Sequence, residues 1–66
     1  MKSYQQVYNI LVTETDYLSG EKIAERLNIS RTAVWKAIQR LQQEGLIIDS
    51  IKKRGYKLLQ GDLILP

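Results

Sequence analysis

The chain has 66 residues, and its ten lysines and arginines against seven aspartates and glutamates give a formal net charge of +3. This length predicts one small domain. The sequence contains no cysteine and no histidine, which excludes disulfide staples and the usual zinc sites. No apolar run approaches the roughly 20 residues of a membrane span, and no signal-peptide pattern opens the chain. We therefore expect a soluble intracellular domain.

The first predicted helix runs from about Tyr4 to Thr13. Ser3 and Gln6 have the spacing of a capping box, so we expect Ser3 to be the N-cap. The apolar residues that follow recur at the i, i+3, i+4, i+7 positions of an amphipathic helix. They are Tyr4, Val7, Tyr8 and Leu11.

A second, short helix is predicted from about Gly20 to Leu27, after a short extended segment at Tyr17 and Leu18. Ser19 is placed to cap its N-terminus, because a serine hydroxyl can accept a hydrogen bond from the first free amides. Asn28 can end it in a left-handed conformation.

A third helix is predicted over residues 30–44 with Ser30 as its N-cap, and only Asn28 and Ile29 separate Leu27 from this cap. Gly45 can end it in a Schellman motif, with Leu46 packing back on Leu41. Two capped helices joined by so tight a turn form a helix-turn-helix. One face of the third helix is apolar and predicted to be buried; it contains Val34, Ala37, Ile38 and Leu41.

The opposite face of the third helix contains cations, amides, an aromatic ring and no acid. Such a face suits base edges and phosphates: Gln39 can read an adenine, Lys36 a guanine or a phosphate, and Thr32 a phosphate or a thymine methyl. The alternative is an ordinary solvated helix face. For Trp35, DNA contact and partial burial against the following hairpin remain equally open.

A β-hairpin is predicted after the third helix, from the β-branched stretch Leu46 to Ile51 and the alternating stretch Tyr56 to Leu59. Gly55 can supply the positive φ of its loop. The loop has three adjacent cations, which can reach a minor groove or its phosphates or simply keep a loop tip soluble. They are Lys52, Lys53 and Arg54. The fold class is mainly α with a small β-hairpin, a winged helix-turn-helix.

Two helix N-termini offer further phosphate contacts. Ser19 and Ser30 cap helices, and Arg31 occupies the first helical position after Ser30. Backbone amides and the helix dipole favour an anion there. Simple capping is the alternative for both serines.

Three strings resemble the N-terminal domain of bifunctional biotin protein ligases, a family whose members also repress genes of biotin synthesis and transport. They are Ser19-Gly-Glu-Lys-Ile-Ala-Glu-Arg-Leu27, Ser30-Arg-Thr-Ala-Val-Trp-Lys36 and Arg54-Gly-Tyr-Lys-Leu58. The resemblance implies a cytoplasmic protein that binds double-stranded DNA at an inverted-repeat operator. It also implies that biotinyl-5′-AMP binding and homodimerisation belong to a separate catalytic domain.

That catalytic domain, with its glycine- and arginine-rich loop and catalytic lysine, has no counterpart in these 66 residues. We therefore expect residues 1–66 to be a DNA-binding domain, with residues 60–66 starting a linker to an absent ligase domain. The isolated domain is expected to be monomeric and to hold neither cofactor nor metal. Its carboxylates are scattered and it lacks a phosphate-binding glycine loop, so we predict no enzymatic activity.

The predicted function is sequence-specific operator binding in transcriptional repression. Two alternatives stay open. The domain could be a protein-interaction module that uses Trp35 and the apolar tail Leu63 to Pro66. It could also be a regulatory domain that packs on the ligase domain.

Overall fold

The computed structural model describes residues 3–61, and within them three helices precede a two-stranded antiparallel sheet. The predicted winged helix-turn-helix is confirmed. The elements are α1 (Ser3–Thr13), α2 (Gly20–Leu27), α3 (Arg31–Gln43), β1 (Ile47–Ile51) and β2 (Gly55–Gln60). We refer to β1, β2 and the loop between them as the wing.

Helix α1 differs from its prediction at the N-terminus. It includes Ser3, so Ser3 lies inside the helix and its predicted role as N-cap is wrong. An N-cap residue has a non-helical backbone, and the capping-box spacing alone does not reveal where the helical backbone begins. The predicted apolar stripe is correct, since Val7 and Leu11 are buried.

Helix α2 has the predicted bounds and ends. The hydroxyl of Ser19 accepts a hydrogen bond of 3.1 Å from the amide of Lys22. Asn28 adopts the left-handed conformation at φ 56°. The amide of Ile29 then donates to the carbonyl of Ala24 at 3.0 Å, which is the long hydrogen bond of a Schellman ending. This geometry turns the chain into α3 within two residues.

Helix α3 is fixed at both ends in the same way. The hydroxyl of Ser30 accepts a 3.0 Å hydrogen bond from the amide of Ala33. Gly45 has φ 97°, and the amide of Leu46 donates to the carbonyl of Leu41 at 3.2 Å. Both predicted helix ends are therefore confirmed.

The core lies where α3 packs against α1 and α2. Helix α3 contributes its whole predicted apolar face, and full burial of one aliphatic side chain contributes about 1.5–3 kcal/mol. The buried apolar residues are Val7, Leu11, Leu18, Ile23, Ala24, Val34, Ala37, Ile38, Leu41, Leu46 and Ile48. Burying one face of α3 leaves the opposite face in solvent.

The predicted hairpin is confirmed, and its second strand, β2, begins at Gly55. Ile51 pairs with Gly55, so the loop consists of the three cations Lys52, Lys53 and Arg54. Gly55 has φ 109°, as the sequence predicted. The sheet register shifts between Ile47 and Ile48, next to the end of α3.

The segment before α2 attaches the wing to the helices. Leu18 and Tyr56 exchange two backbone hydrogen bonds of 2.9 Å each, so the predicted extended segment is confirmed at Leu18. A Cβ atom on Gly55 would lie 2.3 Å from the carbonyl oxygen of Leu18. The close approach of these two chain segments therefore requires a glycine.

The predicted linker begins within the described residues. Gln60 is the last residue of β2, and Gly61 follows it as an exposed residue. The predicted tail Leu63 to Pro66 lies outside the described residues. Across residues 3–61, no helix has the length and apolar character needed to cross a membrane.

Candidate nucleic-acid interface

The outer face of α3 is exposed along its length. Thr32, Trp35, Lys36 and Gln39 are all exposed, whereas the four apolar residues on the opposite face are 5% exposed or less. The packing of α3 therefore leaves its polar side chains free to contact another molecule.

A cleft of about 520 Å³ lies between the wing and the N-termini of α2 and α3. It brings together seven of the ten predicted site residues, which come from three separate parts of the chain. They are Ser19, Arg31, Thr32, Trp35, Lys52, Lys53 and Arg54. Gly20, Glu21, Ser50, Ile51, Gly55 and Tyr56 complete the lining.

Trp35 lies on the α3 side of this cleft, opposite the wing, and remains 54% exposed. The indole is therefore partly covered in the cleft and still presents about half of its surface to solvent. An amphipathic ring in this position can contact either a sugar-phosphate backbone or a protein side chain.

The other three predicted residues lie outside the cleft. Lys36 borders a separate hollow of about 280 Å³ that also involves Tyr4 and Arg40. Gln39 is exposed further along α3, and Ser30 is exposed while its hydroxyl caps α3. The predicted site therefore extends from the cleft along the outer face of α3.

The cleft has an excess of positive charge. Arg31, Lys52, Lys53 and Arg54 line it, with Glu21 as the acid among the lining residues. None of these four cations forms an ion pair with another residue of the described range 3–61; the ion pairs found there are Arg26 with Glu14 and Arg40 with Glu44. Unpaired cations around a concave surface concentrate a positive potential that attracts polyanions.

Tyr17 is a residue at the base of the wing that sequence reasoning missed. Its hydroxyl donates a hydrogen bond to the carboxylate of Asp49 in β1. Its ring centroid lies 5.2 Å from the guanidinium carbon of Arg54 and 5.6 Å from the ammonium of Lys57. The sequence predicted the hairpin, but no local signal places Tyr17 beside Asp49, which lies 32 positions further along the chain.

The surroundings of Tyr17 favour its neutral form. The hydrogen bond to Asp49 is the largest influence that raises the pKa of Tyr17 above the ordinary phenol value of 10.0, followed by desolvation and by the negative charge of Asp49. Arg54 lowers that pKa and Asp16 raises it slightly. Tyr17 therefore donates its hydrogen bond to Asp49 throughout the neutral pH range.

Residues 4–57 match a family model described as an HTH domain. The chain belongs to this helix-turn-helix family. The match covers all three helices and extends into β2.

Curated relatives within this family confirm the resemblance drawn from the three sequence strings. The bifunctional ligase/repressor BirA of Bacillus spizizenii is 41% identical over 46 residues, which are 70% of this chain and 14% of that protein. BirA of Bacillus subtilis is 42% identical over 45 residues, 68% of this chain and 14% of its own length. BirA of Salmonella typhimurium is 38% identical over 48 residues, 73% of this chain and 15% of its own length.

Proposed function

We propose that this chain binds double-stranded DNA sequence-specifically, as the repressor domain of a bifunctional biotin protein ligase acting at a biotin operator. The observation that carries the proposal is the cleft between α3 and the wing, which is lined by cations that form no ion pair within residues 3–61. The HTH family match and the ligase/repressor relatives support it.

In this proposal α3 enters the major groove, whose width admits a helix. Gln39 contacts an adenine edge, Lys36 a guanine or a phosphate, and Thr32 a phosphate or a thymine methyl. All three side chains are exposed and lie on one face. The buried opposite face of α3 supplies the rigid support that such contacts need, since base readout depends on accurate placement.

The wing provides contacts that do not depend on base sequence. Lys52, Lys53 and Arg54 are exposed at its tip and reach the adjacent backbone or minor groove. Arg31, in the first turn of α3, adds a cation at the cleft. Ser19 caps α2, and the free amides at that N-terminus favour a phosphate.

In this proposal biotinyl-5′-AMP does not bind in the cleft. Ligand pockets bury most of their ligand against apolar walls, whereas the residues of this cleft that project from α3 and the wing tip are exposed and mostly cationic or hydroxylated. We assign its binding, and homodimerisation at an inverted repeat, to a ligase domain of the parent protein. In this proposal residues 1–66 have no catalytic role, and residues 60–66 lead toward the ligase domain. The isolated DNA-binding domain is monomeric and works in the cytoplasm.

Salt-dependent binding tests the proposal directly. Duplexes selected from a random library are titrated with the 66-residue chain at several salt concentrations, with fluorescence anisotropy as the readout. The logarithm of the affinity should fall linearly with log[salt], with a slope of about −0.9 for each phosphate neutralised. Lys53→Ala should reduce the slope by about 0.9 on every duplex. Gln39→Ala should weaken only the selected sequence, by about 1–3 kcal/mol.

Arg26→Gln is the matched control, because Arg26 already forms a 2.8 Å ion pair with Glu14 and lies outside the cleft. This variant should leave the slope unchanged. The proposal fails if the chain binds no duplex at low salt, or if Arg26→Gln and Lys53→Ala have equal effects. Amide shift changes confined to regions other than 31–39 and 52–55 would instead favour a protein-interaction or regulatory module.

A further inference from the structure

Four residues form a contact network between the segment before α2 and the wing, and none of them belongs to the buried core or to α3. Asp49 of β1 and Lys57 of β2 are opposite each other in the sheet register. The Tyr17 hydroxyl binds Asp49, and the Tyr17 ring lies near both Lys57 and Arg54. We call Tyr17, Asp49, Arg54 and Lys57 the Tyr17 cluster.

The wing tip has few other contacts that could orient it. The backbone pairing of Leu18 with Tyr56 attaches β2 to the helices, and Ile48 is the buried residue of β1. Lys52, Lys53 and Arg54 are all exposed. Tyr17 reaches both strands and the loop from outside the wing, through Asp49, Lys57 and Arg54 respectively.

The cluster also affects the charges that an approaching phosphate meets. Three adjacent cations at the tip repel one another, and the face of an aromatic ring attracts a cation placed over it. Asp49 is the acid that lies between residues 46 and 61, and a free carboxylate there would repel DNA. The Tyr17 hydroxyl holds this carboxylate at the base of the wing.

We propose that Tyr17 is a positioning residue for DNA binding, which holds Arg54 at the edge of the cleft and keeps the carboxylate of Asp49 away from the phosphates. Tyr17 itself need not touch DNA in this arrangement. Arg54 both contacts the Tyr17 ring and lines the cleft, so the position of the ring determines where this cation meets the backbone. This inference rests on the proposed DNA binding.

A double-mutant cycle with Arg54 tests this role. The 66-residue chain and its variants are titrated against a 20-base-pair duplex of mixed sequence over a sodium chloride series. Tyr17→Leu should lower the salt slope by about 0.9 and the affinity by up to roughly tenfold at 50 mM salt, as expected for loss of one phosphate contact. In an Arg54→Ala background, Tyr17→Leu should cause a clearly smaller loss, because only the release of the Asp49 carboxylate remains. Equal losses in both backgrounds, or an unchanged slope, would overturn the inference.

Tyr4→Leu is the matched control. Tyr4 also has an arginine over its ring, with the Arg40 guanidinium carbon 5.0 Å from the centroid, but it lies on α1 away from the wing. Tyr4→Leu should leave the slope unchanged. If Tyr4→Leu lowers the slope as much as Tyr17→Leu, the effect is a general loss of structure and the inference is wrong.

If Tyr17→Leu does not fold, Tyr17→Phe provides the test, because the phenylalanine substitution removes only the hydroxyl. The affinity of Tyr17→Phe should fall about two- to threefold, since the ring loses its attachment to Asp49. An affinity and slope equal to those of the unsubstituted chain would overturn the role of Asp49 as the anchor.

A measurement without DNA separates this inference from the proposed function. The side-chain protons of Arg54 should show upfield ring-current shifts in the NMR spectrum, and Tyr17→Phe should reduce them. Unshifted Arg54 signals would overturn the inference while leaving the proposed function intact. If the Arg54 signals are shifted but the chain binds no duplex at low salt, the proposed function is overturned. The role of Tyr17 in DNA binding is then overturned as well.

Discussion

Helix α3 and the wing face the same cleft, yet they are held in place by different forces. Helix α3 buries four apolar side chains and has a capped N-terminus and a Schellman ending. In the wing, β1 buries only Ile48 among its five residues, and β2 is intermediate or exposed throughout. The helix is fixed by full burial of one face, whereas the wing combines the buried Ile48 and the partly buried Tyr56 and Leu58 with a backbone bridge and the Tyr17 cluster.

This difference suits the two kinds of contact that we propose. Hydrogen bonds to base edges need accurate geometry, whereas contacts to phosphates tolerate small displacements and mainly set orientation. A helix held by close-packed apolar side chains has little freedom to move. The wing tip, whose side chains are exposed, has more freedom to adjust to the backbone that it meets.

Loss of one leucine side chain should affect α3 far more than the wing. Leu41→Ala should lower the free energy of unfolding by about 2–5 kcal/mol, because Leu41 is fully buried and its removal leaves a cavity. Leu59→Ala should change it by only about 0.5 kcal/mol, since Leu59 is 55% exposed. Urea unfolding measures both variants. Comparable losses would show that Leu59 is packed as tightly as Leu41.

Replacing the two glycines with alanine should reverse this ranking, with the larger loss of unfolding free energy in the wing and the smaller one at the end of α3. Gly55→Ala should cost about 2–4 kcal/mol, because backbone strain adds to displacement of the Leu18 carbonyl and loss of its hydrogen bonds. Gly45→Ala should cost only about 1–2 kcal/mol, since φ is 97° there but no atom lies within 4 Å of the added methyl group. Thermal unfolding provides the measurement. An equal cost at both positions would argue against the close contact between Gly55 and Leu18.

The smallest expected effect concerns the pH dependence of the wing's attachment. Asp49 raises the pKa of Tyr17. The stabilising contribution of the Tyr17–Asp49 hydrogen bond should therefore be fully present below about pH 10. It should be lost as pH rises through the folded-state pKa of Tyr17. The difference in melting temperature between the unsubstituted chain and Tyr17→Phe should shrink above pH 10. Absorbance titration of the two proteins identifies the ionisation of Tyr17. Ionisation below the ordinary phenol range would contradict the hydrogen bond to Asp49.

Local signals predicted most of the fold correctly. Ser19, Ser30, Asn28 and Gly45 act within a few residues of their own position, so the sequence reveals both where the helices end and how. Periodicity identified the buried face of α3 for the same reason. The local signal failed at Ser3, where a capping-box spacing occurs inside a helix that already includes the serine.

Long-range contacts explain what the sequence could not predict. Tyr17 and Asp49 are 32 positions apart, and no periodic pattern connects them. The pairing of Leu18 with Tyr56 depends on how the wing folds back onto the segment before α2. The exposure of Trp35 depends on the distance between the wing and α3. Residue types therefore predicted the candidates for the cleft, whereas tertiary packing determined that Lys36 and Gln39 lie outside it.

The outward side chains of α3 have a consequence for engineering this domain. Thr32, Trp35, Lys36 and Gln39 are exposed, and the helix owes its ends and its buried face to other residues. Randomising these four positions together should therefore yield a library in which most members remain folded. Selection from such a library would act on recognition alone, so new target sequences could be found without first repairing the scaffold.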